Sequence, residues 1–250
     1  MSHGEKKETG EYIIGRNAVS EALKSGRVIE TVFLQDTLNI GSIQSLMDKI
    51  RESGITFKKV KKAKLDMMSN NGNHQGVIAL VGAKKSATVE EILEIAKKRG
   101  EPPFVIVADE IEDPHNLGAI IRTAECVGAH GVIIPKRHSA GLTESVGKSA
   151  AGALEYVAVA KVPNIAQTID TLKENGLWIY GADMKGQTWC ETDFKGATAL
   201  VIGSEGKGIG RLVREKCDFI VSLPMSGRIN SLNASVAAGI LMSEVRRQRG

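Results

Sequence analysis

The sequence predicts an α/β protein of two domains, the second built on a mostly parallel sheet. Three observations carry this. From Phe104 onward short apolar strands alternate with helical segments, the pattern of a sheet covered on both faces. Before it lies a shorter α/β unit with a different charge balance. Residues 83–103, between the two, are rich in small, charged and proline residues and read as a linker.

In chain order, residues 1–10 are polar and charged and are expected as a mobile tail. The first domain spans 11–82. Ile13 to Leu23 reads as an entry strand and a helix stopped at Ser25-Gly26, Val28 to Leu34 as a strand, and Ile40 to Arg51 as an amphipathic helix ending before Gly54. Ile55 to Val60 is a strand with interleaved lysines, Lys64 to Ser69 a short helix, and Gln75 to Val81 the last strand. Ahead of that strand, Asn70-Asn-Gly-Asn-His-Gln-Gly76 is strongly turn-forming. A helix over Val89 to Lys98 is expected inside the linker. The second domain, 104–250, carries strands at Phe104–Asp109, Gly131–Pro135, Tyr156–Val162, Leu177–Ala182, Ala199–Gly203 and Phe219–Leu223. Its helices begin near Asn116, Thr143, Asn164, Gly210 and Ser231.

Composition sets the outer bounds. A hydrophobic share of 42% supplies ordinary cores. No apolar run is long enough for a membrane span, and the N-terminus has no signal-peptide core. Cys126, Cys190 and Cys217 are too few and too scattered for a disulfide framework or a zinc site, and Cys126 is expected in the core. His115, His130 and His138 lack metal-ligand spacing, so no metal is expected and turn or core roles suit them. The chain reads as cytoplasmic. Residues 1–100 hold 17 Lys+Arg against 12 Asp+Glu, whereas 101–250 hold 16 against 17. The basic excess peaks at Lys58, Lys59, Lys61, Lys62 and Lys64, either a solvated face or a surface that attracts phosphate. Only ten of the residues are aromatic, too few for base stacking to be the main means of holding a nucleic acid.

Three loops follow strand C-terminal ends, where ligands sit in parallel sheets. In the first, Asp109 to Ala124, Pro114 and Gly118 shape a strand-to-helix turn, Asn116 stands at the helix N-cap and Arg122 follows within two turns. The second, Leu200 to Gly210, is glycine-rich. Its spacing fits neither the dinucleotide motif nor the P-loop, so its glycines serve close backbone approach to a ligand or another chain. The third, Leu223 to Ser235, runs from a strand ended by Pro224 into a helix that Ser231 or Asn233 can cap. Taken singly, Asn116, Ser231 and Asn233 are ordinary caps and Arg122 a surface residue.

Together the loops resemble the three motifs of the SpoU (TrmH-like) RNA ribose methyltransferases of the SPOUT superfamily. Asn116, Gly118 and Arg122 match the first motif, Glu205 the acidic position of the second, and Ser231 and Asn233 the polar positions of the third. The N-terminal unit resembles the L30e-like RNA-binding domain of many members through Ile14 to Leu23 and His74-Gln-Gly-Val77. The resemblance implies a trefoil-knotted α/β second domain and a homodimer with shared active sites. It also implies methyl transfer from S-adenosyl-L-methionine to a ribose 2′-hydroxyl, with a guanosine of 23S rRNA as the substrate it favours. Arg122, Asn116, Glu205, Ser231 and Asn233 would be catalytic, and Gly203, Leu223 and Leu232 would hold the cofactor through backbone groups. Arg122 would be the base or, since a guanidinium rarely deprotonates, a clamp on phosphate and developing alkoxide. A tRNA or an rRNA adenosine as substrate, and a non-enzymatic RNA-binding or ribosome-assembly role, stay open.

Overall fold

A computed structural model of the chain describes residues 11–82, 86–228 and 231–250. The expected tail, residues 83–85 of the expected linker and Ile229-Asn230 lie outside them. The chain divides into two compact units, up to Lys85 and from Ser86.

The first unit runs β1 (Glu11–Ile14), α1 (Arg16–Lys24), β2 (Ile29–Gln35), a 3₁₀ turn, α2 (Gln44–Glu52), β3 (Phe57–Val60), α3 (Lys62–Met68) and β4 (Val77–Val81). Its sheet has the order β1-β4-β2-β3, with β4 antiparallel to both neighbours and β3 parallel to β2. Every residue of β4 is buried, because both faces of the sheet are covered. Val77, Ala79 and Val81 face a cluster with Leu46, Met47 and Ile50 of α2, while Ile78 and Leu80 face Leu65 of α3 and Phe33. That is the period-2 alternation of a strand serving two cores. The edge strand β3 exposes Lys58 and Lys59.

The second unit opens with α4 (Val89–Arg99). Thr88 and Glu91 close a reciprocal capping box at its start, and Gly100 ends it in the left-handed conformation. The sequence reading leaves this helix in a linker; the structure packs Val89 and Ile92 into the same core as Val105 and Ile133. The cause is its apolar stripe. Gly131 makes room for it, since a Cβ there would lie 2.6 Å from Ile92.

Then follow β5 (Phe104–Ala108), α5 (Pro114–Cys126), β6 (Gly131–Pro135), α6 (Glu144–Ser149), β7 (Ala158–Val162), α7 (Ile165–Glu174), β8 (Trp178–Thr188), β9 (Thr198–Ile202), α8 (Arg211–Lys216), β10 (Phe219–Ser222) and α9 (Ala234–Arg249). All pairings in the sheet β10-β8-β9-β5-β6-β7 are parallel. β8 runs six residues past its expected end. Its pairing with β10 jumps from Gly181 opposite Ile220 to Gln187 opposite Val221, so a polar excursion sits inside the ladder. Cys126 is exposed at the end of α5, not in the core as expected: the inward stripe of that helix is Leu117, Ile120, Ile121 and Ala124, and position 126 falls off it.

The last helix fills one face of the sheet with Ala234, Ala238, Leu241, Met242 and Val245. At its far end Arg247 donates to both carboxylate oxygens of buried Glu244 (2.7 Å each), and Gln248 ties Glu244 to the backbone of Thr192 and Phe194. The Arg247 guanidinium holds the Glu244 carboxyl down to about 2. A carboxyl depressed in the fold stabilises it fully above its ordinary value of 4.5 and loses that contribution as the pH falls toward about 2. Thermal unfolding followed from pH 6 to pH 2 should therefore show Glu244→Gln less stable than the natural chain near neutrality. The gap should close at the acid end; a gap independent of pH would refute the ionic role of Glu244.

Candidate active site

The site begins where β5 ends. Asp109 is 5% exposed and accepts the Gly210 backbone N–H at 2.8 Å, while its own N–H donates to Ile202 at the end of β9. Burial pushes its carboxyl above the usual carboxylate value, against the pull of the Gly210 N–H, and Glu110 adds to the rise. Asp109 thus pins the base of the 203–210 loop to the neighbouring strand. Sequence reading placed it at the end of a strand and the start of a loop and gave it no role, although an acid closing an otherwise apolar strand was the available signal.

The loop itself is a tight hairpin. Ser204 and Gly208 exchange backbone hydrogen bonds of 3.1 and 2.8 Å, with Gly208 left-handed. A Cβ on Gly203 would lie 2.1 Å from the Gly208 carbonyl carbon and 2.3 Å from the Ile209 nitrogen. The closeness that glycine permits at 203 is therefore already taken by the loop's own return. This fold carries Glu205 to the start of two helices.

At the first, the cap is Asp113, whose side chain accepts from the His115 N–H, with Pro114 in the first turn. This corrects the reading of Asn116 as the cap. Released from that duty and buried, Asn116 turns its Nδ2 to Glu205 Oε1 (2.9 Å). At the second helix, Asn233 is the cap of α9. Its Oδ1 accepts from Ser235 N (3.0 Å), Ser235 Oγ (2.6 Å) and Val236 N (3.3 Å). Its Nδ2 is thereby left to donate to Asn116 Oδ1 (2.8 Å) and to Glu205 Oε1. The Ala234 N–H adds a donor to Glu205 at 3.3 Å.

One carboxylate oxygen of the 203–210 loop thus gathers three donors, one from the start of α5 and two from the positive end of α9. Asn116, Glu205 and Ala234, with Glu110, Asp113 and Lys207, line a cavity of about 170 Å³. The lining is mainly acidic, with Lys207 3.9 Å from Glu110.

The remaining sequence-predicted residues sit around this triad without joining it. Gly118 packs α5 onto α6, where a Cβ would lie 2.3 Å from Ser149. Arg122 stands exposed on α5 and makes no hydrogen bond or ion pair with the described residues. Ser231 is exposed just ahead of the cap. Leu223 is half-buried against the core at the end of β10, and Leu232 is half-buried one residue before Asn233. Ser235, which sequence reading passed over, fixes the Asn233 amide. Among the described residues no cluster of His, Cys, Asp and Glu is arranged to hold a metal ion.

Removing the pin should loosen the loop and leave the sheet intact. Asp109→Ala and Gly203→Ala are each expected to raise amide hydrogen exchange at least tenfold over 204–208, with β5 and β6 unchanged. Exchange in that loop equal to the natural chain's would refute the anchoring roles.

Two family descriptions match the chain: SpoU rRNA Methylase family over residues 103–243, and RNA 2′-O ribose methyltransferase substrate binding over residues 12–87. The chain is 48% identical over 240 residues to YacO of Bacillus subtilis (strain 168), a protein assigned to the TrmH family of tRNA/rRNA methyltransferases. The alignment covers 96% of each chain. A protein of the same assignment from Staphylococcus aureus (strain MRSA252) is 43% identical, with 95% of this chain and 96% of that one covered. Among solved structures, the SpoU methyltransferase AviRb from Streptomyces viridochromogenes, in complex with the cofactor AdoMet, superposes with a TM-score of 0.80. It is 27% identical, with 96% of this chain and 90% of that one covered.

Proposed function

Because the chain belongs to the SpoU rRNA methylase family, we propose that it methylates a ribose 2′-hydroxyl of RNA, using S-adenosylmethionine and acting on a guanosine of 23S rRNA. The observation that carries this reading is the meeting of Asn116, Glu205 and Asn233, drawn from three separate loops onto one carboxylate oxygen. A structural cap would need none of the three partners.

The residues present fit the cofactor. Leu223 and Leu232 are apolar, half-buried and placed at the end of β10 and before the α9 cap, and the cavity beside Glu205 is lined by acids that suit a sulfonium cation. Leu223, Leu232 and the 203–210 loop would hold it, and its sulfonium supplies the activated methyl group. The protein then has to hold the ribose in line and help its 2′-hydroxyl lose a proton. Arg122, exposed and without a carboxylate partner, supports the clamp role: its fork would grip the neighbouring phosphate and stabilise the developing alkoxide. Glu205, Asn116 and Asn233 hold the loops that frame it, and Ser231 stands at the rim.

Two further parts of the reading concern assembly. The chain leaves β10 at the sheet's edge, yet Asn233 sits beside Asn116 at its centre, and α9 returns onto α5. Such a path supports the trefoil knot. On the outer side of α9, Val236 and Ile240 are 49% and 36% exposed beside Gly239 and Ser243. That apolar, small-residue face supports a homodimer. An RNA substrate of this kind would be met in the cytoplasm, where the protein is proposed to act.

The test is transfer of a labelled methyl group to unmodified large-subunit rRNA, with the product mapped. A single 2′-O-methylguanosine is expected, and Arg122→Lys should lower kcat about 100-fold, as expected for loss of an oxyanion donor. Label in tRNA or in an adenosine would replace the substrate, and no label in any RNA would favour an RNA-binding role. Near-natural turnover of the lysine variant would remove the clamp.

The first unit is proposed to choose the substrate through phosphate and single-strand contacts. Its two apolar clusters draw only on residues before 82 and those of the second unit only on residues after 86, so each has a core of its own. A chain lacking residues 1–85 should retain cofactor affinity and lose rRNA affinity at least tenfold. Unchanged rRNA affinity would assign substrate choice to the second unit.

A further inference from the structure

A cavity of about 800 Å³ lies in the first unit, lined by none of the candidate active-site residues. Its walls come from three places: the first turn of α1 (Arg16, Asn17), α3 (Lys62, Asp66) and the Asn71–Gly76 loop, with Gln35 and Leu38 closing one side. The loop wall is built stiff. Asn70, Asn71, Gln75 and Gly76 all have positive φ, three of them non-glycine residues held in a sparsely populated conformation. His74 is the wedge that holds it. Its ring is buried, Nδ1 accepts the Gly76 N–H at 2.9 Å, and Nε2 therefore carries the proton toward Asp66 at 3.1 Å.

What this frame presents is a set of groups left open. Asn17, Asn71 and Asn73 are exposed and make no side-chain hydrogen bond with the described residues, so three amides, each a donor and an acceptor, border one concavity. Lys62 is neutralised by Asp66 at 2.8 Å. Arg16 is not: it donates to the carbonyls of Gln75 (3.0 Å) and Ser42 (3.5 Å) and meets no carboxylate among the described residues. A fixed guanidinium without a counter-ion suits a phosphate. Unpaired amides on a rigid wall suit the donor and acceptor edge of a base. Lys58, Lys59, Lys61 and Lys64 are exposed along β3 and the approach to α3, and Lys64 sits 5.6 Å over the Phe33 ring. These lysines flank in sequence Lys62, which lines the cavity, so the segment on that side is basic.

We infer that this cavity takes one unpaired ribonucleotide of the RNA substrate, base against Asn17, Asn71 and Asn73, phosphate on Arg16, with the adjoining strand along the lysines. The inference rests on the proposal that the first unit binds RNA, and it names the place and the form recognised. A paired base could not enter, because its Watson–Crick edge is already used.

The probe is a fluorescein-labelled ten-nucleotide RNA of mixed sequence, single-stranded or annealed to its complement, titrated with the full-length protein. Single-stranded RNA should bind at least tenfold tighter than the duplex. The double variant Asn17→Ala/Asn73→Ala should lose most of that preference while its S-adenosylmethionine affinity, measured by calorimetry, stays unchanged. Both side chains are exposed, so the variant is expected to fold; its far-ultraviolet circular dichroism and thermal midpoint should match the natural chain. An unchanged preference in the folded variant overturns the assignment of the cavity. If the chain lacking residues 1–85 keeps full RNA affinity as well, the RNA role of the whole unit falls with it.

Discussion

Glu205 is the residue on which the second unit's functional end depends. Its Oε1 accepts from Asn116 at the start of α5 and from Asn233 and Ala234 at the start of α9, and neither segment is its own loop. A carboxylate with several charge-assisted hydrogen bonds is worth more than the sum of separate pairs, because each donor is held in place by the others. The triad substitutes for continuous secondary structure: it joins the start of α5, the 203–210 loop and the start of α9 at a single atom. Asn233 lets this happen by dividing its amide, the oxygen for its own helix and the nitrogen for the partners.

Such a junction is possible only because the parallel sheet delivers strand ends to one edge. β5 and β9 are adjacent, so Asp109 and Gly210 meet directly and the loop after β9 starts beside the loop after β5. β10 is at the sheet margin, and the segment beyond it has to cross back before Asn233 can take its place. The small side chains of α9 permit that return. Ala234 and Ala238 are buried against the core. A larger residue at 238 would push the last helix outward and take Asn233 with it.

Much of this was legible in the sequence, and the reasons for the rest are specific. The apolar strands and their order along the chain follow from hydrophobic period, and the three loops from their proline, glycine and cap residues. The strand order in space does not, since β8, β9 and β5 become neighbours through contacts far apart in sequence. The same limit hid the second half of β8: Asp183 to Thr188 is polar and reads as loop, and it is strand only because β10 lies alongside. Asn116 illustrates the point at one residue. Its sequence context suits a cap, but Asp113 lies three residues earlier, ahead of a proline, and takes that role, leaving Asn116 for a partner 89 residues away. Arg122 shows the reverse, since its place on the exposed side of α5 is local and it meets no hydrogen-bond or ionic partner among the described residues.

The exposed lysines of β3 have a meaning apart from RNA. β3 is one of the two edge strands of the first unit's sheet, and an unpaired edge invites another chain to add a strand. Lys58 and Lys59 stand on that edge and repel a like edge from a second molecule. The charges that would draw phosphate therefore also act as gatekeepers against self-association. Neutralising the strand would therefore remove the repulsion between edges together with whatever affinity for phosphate the lysines give.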